Sequence, residues 1–124
     1  MSPLFRKSAE KRAQEAAAQA EIDRVKTLDV ADLAAQLLPA LGRDGPGAGH
    51  SMRVQQLCEY MLRDALPSGN LKALQLMSRV SRALDMLNEA GLVEATWLQR
   101  SPVWTITPRG ESALAAGTVR ERLV

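Results

Sequence analysis

The hydrophobic period of this chain changes at one residue, Gly91. Upstream, Ala73, Leu76, Met77, Val80, Ala83, Leu84 and Leu87 recur at intervals of three and four. This spacing predicts an amphipathic helix from about Leu71 to Ala90, with Gly91 as its C-terminal cap. Downstream, Leu92–Leu98 and Val103–Thr107 read as two short strands. Gln99-Arg100-Ser101-Pro102 joins them as a hairpin. Thr107-Pro108 then has a hydroxyl cap followed by proline, a strong helix start, and the final helix is expected to reach Leu123. Gly117 is a weak point inside it.

The segment before Leu71 supplies the surface on which that helix packs. Asp29 is placed to cap a first helix whose Leu33, Leu37, Leu38 and Leu41 share one face and which Gly42 ends. Gly42–Gly49 holds four glycines and a proline, a flexible loop by composition. Ser51 can cap a second helix with Val54, Leu57, Cys58, Met61, Leu62 and Ala65 on its apolar face. Pro67-Ser-Gly-Asn70 breaks the chain before the third. Aromatic residues are only 3% of the 124, so the core must be aliphatic, and long Val/Ile/Thr-rich runs are absent. The fold class is therefore mainly α with a small β-hairpin.

Residues 1–28 read as a charged helical arm and 29–124 as the folded domain. Ser2-Pro3 can start the arm's helix, but its apolar stripe (Ala9, Ala13, Ala16, Ala20) carries only methyl groups. Such a helix frays alone. The arm is thus a solvent-exposed or partly disordered tail, or a helix completed by a partner. Near its start, Met-Ser-Pro-Leu-Phe-Arg-Lys lacks the apolar run of a signal peptide. The longest apolar stretch, Leu33–Leu41, is interrupted by Gln36 and Pro39 and falls short of the ~20 residues needed to span a bilayer. A cytoplasmic protein without membrane contact is the expectation.

The net charge is only +2, so the placement of cations matters more than their sum. On a wheel of 100° per residue the third helix turns Gln75, Ser78 and Arg82 away from its apolar side, with Lys72 and Arg79 flanking them. Asp85 and Glu89 occupy the last turns. A cationic leading end with acids held back is what a major-groove helix requires, since arginine pairs bidentately with guanine and glutamine with adenine. Arg100 at the hairpin tip can reach phosphate or the minor groove. Arg109 either touches the DNA backbone or covers the core with its stem.

Val80-Ser-Arg-Ala-Leu-Asp-Met-Leu-Asn-Glu-Ala-Gly-Leu-Val93 resembles the end of the recognition helix and the first wing strand of bacterial winged helix-turn-helix regulators. Trp104-Thr-Ile-Thr-Pro-Arg-Gly110 is similar to the second wing strand and following helix of the MarR and PadR groups. The resemblance covers about residues 29–123. It implies a winged helix-turn-helix domain with N- and C-terminal helical extensions that binds double-stranded DNA as a transcriptional regulator. On that basis the DNA contacts are expected at Lys72, Gln75, Ser78, Arg79, Arg82, Arg100 and Arg109. Two departures stand out: the wing is only lightly basic, and the third helix is long enough for Leu71–Leu74 to form a separate turn. One domain offers about four or five cations to phosphates, too few for tight monomeric binding at cellular salt. A homodimer through Glu10–Val25 and Gly110–Leu123 would double the footprint. The alternative is a winged-helix module that binds another protein, since fold does not decide function.

The remaining conspicuous residues carry less. His50 has no accompanying Cys or carboxylate cluster and reads as a surface residue. Cys58, the only cysteine, reads as a buried structural thiol. Trp97 and Trp104 are expected to pair across the hairpin, with a ligand pocket as the lesser alternative. Gly42–Gly49 follows a helix and has no Lys-Ser or Lys-Thr, so it is no phosphate loop. No triad, paired-carboxylate pocket or zinc spacing can be assembled. The expectation is a non-enzyme without cofactors, and no effector ligand can be named.

Overall fold

A computed structural model describes residues 3–47, 51–66 and 70–123, with side chains from Ser8 onward. Ser2, His50 and the Pro67–Gly69 part of the expected turn lie outside the described residues. The elements run α1 (Pro3–Thr27), α2 (Val30–Leu41), α3 (Val54–Met61), a 3₁₀ helix (Leu71–Leu76), α4 (Met77–Glu89), β1 (Val93–Leu98), β2 (Ser101–Ile106), α5 (Pro108–Ala116) and α6 (Val119–Arg122). The molecule is mainly helical with one small antiparallel hairpin. No helix among the described residues is long and apolar enough to cross a membrane.

The leucine face of α2 forms the centre. Asp29 caps it, its Oδ1 accepting from the Ala31 N–H at 2.9 Å. Leu33, Leu37, Leu38 and Leu41 are all buried, as their spacing predicts. After Gly42 the chain folds back: the Gly47 N–H donates to the Ala40 carbonyl at 2.8 Å. The glycine-rich segment is thus packed on the end of α2 as far as Gly47, not loose as its composition suggests. Met52 then makes an antiparallel bridge to Trp104, with hydrogen bonds of 2.9 and 2.7 Å. Arg53, not Ser51, is the residue that precedes α3, its N–H donating to Gln56 Oε1 at 2.9 Å. Leu57, Cys58, Met61 and Leu62 are buried beneath α4.

Two glycines decide how the hairpin is attached. At Gly91 the backbone turns left-handed (φ 77°), the Leu92 N–H returns to Leu87 O at 2.9 Å and the Gly91 N–H to Asn88 O at 3.0 Å. These two bonds are the glycine-terminated helix stop expected from the sequence. Thr107 closes the other side of the same junction: its hydroxyl donates to Gly91 O at 2.6 Å and accepts from the Gly110 N–H at 3.1 Å. Its own N–H donates to Leu92 O at 3.0 Å. Gly110 is enclosed because a Cβ there would collide with Leu92 O and with Ile106 Cγ1.

The last helix differs from expectation. It ends at Gly117 (φ 66°), where Thr118 N donates back to Ala113 O at 3.0 Å, so the glycine terminates α5 instead of interrupting a longer helix. The short α6 folds onto α2: Val119 is buried, and Arg120 meets Asp29 at 3.0 Å and Asp32 at 2.8 Å. At the other end, α1 is helical throughout its described length and its C-terminal part joins the core. Ala18, Ile22 and Val25 are fully buried, with the 3₁₀ helix among their neighbours, whereas Ala9, Ala13, Ala16 and Ala20 are exposed on the opposite side. Reading only the alanine stripe misses Ile22 and Val25 as the anchors.

Gly110→Ala is expected to destabilise the protein by about 3 kcal/mol, because backbone must move to admit the methyl. Gly117→Ala meets open space and should cost only about 1 kcal/mol through its positive φ. Urea unfolding of the two variants checks both values.

Candidate nucleic-acid interface

A 3₁₀ helix stacks side chains at i and i+3, and this sorts Leu71–Met77 into three faces. Ala73 and Leu76 are buried. Lys72, Gln75 and Ser78 form a polar face, the last two exposed and Lys72 half-buried. Leu71, Leu74 and Met77 form an apolar face that remains exposed, by 72%, 36% and 38%. The helical wheel places Met77 on the core side; as the first residue of α4 it is nevertheless 38% exposed. Asn70, the last residue of the expected turn, caps the segment by accepting from the Lys72 N–H at 2.9 Å. The expected separate turn at Leu71–Leu74 therefore extends to Leu76.

In α4 the reverse side (Val80, Ala83, Leu84, Leu87) is fully buried, while Ser78, Arg82, Asp85 and Glu89 are exposed along the outer side. Lys72, Gln75, Ser78 and Arg82 thus share the leading end, and no acidic residue occurs from Asn70 to Leu84. Arg79 departs from its predicted role. It is half-buried and its Nη1 donates to Leu28 O at 3.1 Å, so it fastens the α1–α2 junction to α4 instead of standing free in the strip. Lys26 Nζ reaches Gln75 Oε1 at 3.5 Å, a long and exposed contact.

The hairpin pairs Ala95 with Trp104 and Trp97 with Pro102. The expected cross-strand tryptophan pair is therefore not formed. Trp104 is 6% exposed and belongs to the core, and Trp97, nearer the tip, is 71% exposed. A groove lined by Leu41, Thr96, Leu98, Val103, Thr105 and Glu111 lies beside the hairpin, and neither tryptophan lines it. The turn itself is only Gln99-Arg100, since Ser101 and Pro102 are already in β2. Both turn residues have positive φ (51° and 70°), as a two-residue type I′ connection requires, a conformation suited to Asn-Gly. Arg100 is exposed at this tip. Arg53 is a cation the sequence reading missed: it looks like a helix-start residue, yet its guanidinium donates to Ser101 Oγ at the foot of the turn.

Arg109 lies elsewhere. Its guanidinium rests against Gly91, where an added Cβ would be 3.2 Å from Nη1. That is the C-terminal end of α4, about 20 Å along a helix of this length from Met77. A cation there is favourably placed against the helix dipole, and it is not brought together with Lys72, Gln75 and Arg82.

Cys58 has no exposed surface, and burial, with a smaller contribution from Glu59, pushes its thiol up to about 12. Among the described residues no three His, Cys, Asp or Glu side chains converge as metal ligands. Compared with protein-family models, curated proteins and solved structures, the chain matches none of them.

Replacing Gln99-Arg100 by Asn-Gly should raise stability by about 1–2 kcal/mol, since both positions favour residues tolerant of positive φ; an unchanged thermal midpoint would contradict this. The native Cys58 thiol should resist alkylation at pH 8 and react only on unfolding. Because its folded pKa lies above the ~8.5 of an unfolded cysteine, the protonated thiol favours the folded state at neutral pH. That contribution should decline as pH rises from about 8.5 towards 12, which denaturation midpoints across this range would reveal.

Proposed function

We propose that this chain is a winged helix-turn-helix DNA-binding protein that regulates transcription, similar to the MarR and PadR groups. The observation that carries the reading is the strip Lys72, Gln75, Ser78 and Arg82, outward-facing at the leading end of a helix whose reverse side is locked in the core. Three further features support it. The order α2, α3, 3₁₀–α4, β1, β2 agrees with the one the resemblance implies, and the Met52–Trp104 bridge ties the α2–α3 connection to the second hairpin strand. Arg100 occupies a hairpin tip in a backbone conformation costly for arginine. Along the strip's own segment, Asn70 to Leu84, there is no acid, and the cleft at Lys72 holds two further cations, Lys11 and Arg63, beside Glu15 and Asp64.

In this reading the 3₁₀–α4 segment enters the major groove, where Gln75 addresses adenine and Arg82 guanine or phosphate. Arg100 and Arg53 meet the flanking backbone or minor groove. Arg79 positions the segment through Leu28, and Arg109 lies outside the contact. Each subunit neutralises about four phosphates, which gives a log-affinity against log-salt slope near −3.5. A homodimer doubles this, and the exposed alanine side of α1 is the element open to a partner; α6, docked on its own subunit, is less suited than expected.

A second reading, a protein-interaction module, is favoured by Trp97 and Leu98, exposed by 71% and 51% on the hairpin. Binding to mixed genomic DNA separates the two. Salt-sensitive binding that weakens about tenfold or more in Lys72→Ala/Arg82→Ala, with a slope shallower by about 1–2, is the expected result. No binding at roughly 50 mM salt overturns the DNA reading. Sedimentation as a monomer alone at tens of micromolar counts against the dimer.

A further inference from the structure

The leading end of the 3₁₀–α4 segment carries an apolar ridge beside its polar strip. Leu71, Leu74 and Met77 lie one face over from Lys72, Gln75 and Ser78, and they are exposed by 72%, 36% and 38% where the segment's other aliphatic side chains (Leu76, Val80, Leu84, Leu87) are at 0%. Resting on the DNA-binding reading above, we infer that Leu74 and Met77, with Leu71 at the entrance, contact the 5-methyl groups of thymines on the floor of the major groove.

The argument is one of matched chemistry. An A·T pair presents in the major groove the adenine N6 and N7, which a glutamine engages bidentately, and beside them the thymine methyl, which only an apolar side chain can use. Gln75 is flanked in the sequence by Leu74, and the 3₁₀ twist sets the two on adjacent outward faces. A hydrogen-bonding residue and an apolar one therefore arrive together, as the two components of that pair do. The surroundings favour a polyanion over a protein: Asn70–Leu84 contains no acid, and the cleft at Lys72 brings in two further cations, Lys11 and Arg63, against the two acids Glu15 and Asp64. Three side chains also fall well short of the ~800 Å² that each partner contributes to a stable protein interface.

The test removes methyl groups and nothing else. A duplex recovered by selection from random sequence is prepared with dT and, separately, with dU at every thymine position. Desolvating one methyl is worth about fourfold in affinity, so the wild-type protein should bind the dU duplex about threefold to tenfold more weakly at an unchanged salt slope. Leu74→Ala and Met77→Ala should each reduce the dT/dU ratio, and together bring it below about twofold. Equal binding of the two duplexes by the wild type overturns the inference while leaving the DNA-binding reading intact. Failure to bind any duplex overturns both. Conversion of a dimer to a monomer by Leu71→Ala/Leu74→Ala would assign the ridge to a second copy of the chain and also overturn it. The first comparison needs no variant, so a substitution that fails to fold does not obscure the outcome.

Discussion

The arrangement of this molecule depends on burial of one aliphatic side of the segment Leu71–Glu89 against α2 and α3. Leu76, Val80, Leu84 and Leu87 are fully buried, and each contributes about 1.5–3 kcal/mol through the area it removes from water. The polar contacts of the opposite side are far weaker. Lys26–Gln75 is long and exposed, and such pairs contribute about 0–1 kcal/mol. The core therefore decides which side chains face outward, and the polar strip keeps its aim whatever Lys26 does. Arg79 reinforces this orientation, because its bond to Leu28 O ties the helix to the α1–α2 junction.

A second constraint fixes the hairpin. Leu92 O accepts from Thr107, Thr107 bonds Gly91 O, and the space over Leu92 O admits only a glycine at position 110. End of helix, start of hairpin and start of α5 thus meet in one hydrogen-bonded knot. The base of the hairpin is rigid by this count, while Trp97, Leu98, Gln99 and Arg100 extend beyond it into solvent. The geometry is a fixed mount with an exposed tip, the division of labour seen where a scaffold positions a binding loop.

Much of this was legible in the sequence because the decisive signals are local. Asp29, Gly42, Gly91 and Thr107-Pro108 act on backbone groups within four residues, and the leucines of α2 declare their side by spacing alone. What escaped depends on contacts distant in sequence or on where an element begins and ends. Arg79 binds a carbonyl 51 positions away, and no pattern announces it. Arg109 is drawn to the end of α4 by the fold of Gly110 onto Leu92. Met77 was placed on the buried side by its spacing, but as the first residue of α4 it lies at the open edge of that side and is 38% exposed. The tryptophan pair failed on turn length: a connection of two residues instead of four sets Trp97 opposite Pro102 and Trp104 opposite Ala95. Gly117 was read as a flaw within a helix, although its left-handed backbone and the burial of Val119 make it the stop.

The low net charge is compatible with a cationic interface because the charges are segregated. Glu21 is held below the usual carboxylate range by its hydrogen bond to Arg24, and Asp29 and Asp32 both face Arg120 on the α2–α6 side. Half of the acids on α4, by contrast, lie at Asp85 and half at Glu89, beyond Arg82. Lys72, Arg82 and Arg100 have no ion-pair partner among the described residues. The formal sum of +2 therefore includes three acids, Glu21, Asp29 and Asp32, that are paired with Arg24 and Arg120. With a screening length near 8 Å at physiological salt, a phosphate at the leading end of α4 responds to Lys72 and Arg82 and to the groups that share the Lys72 cleft, Lys11 and Arg63 as well as Glu15 and Asp64, and hardly to Asp29 and Asp32 at Arg120. Local placement governs the field that a polyanion meets.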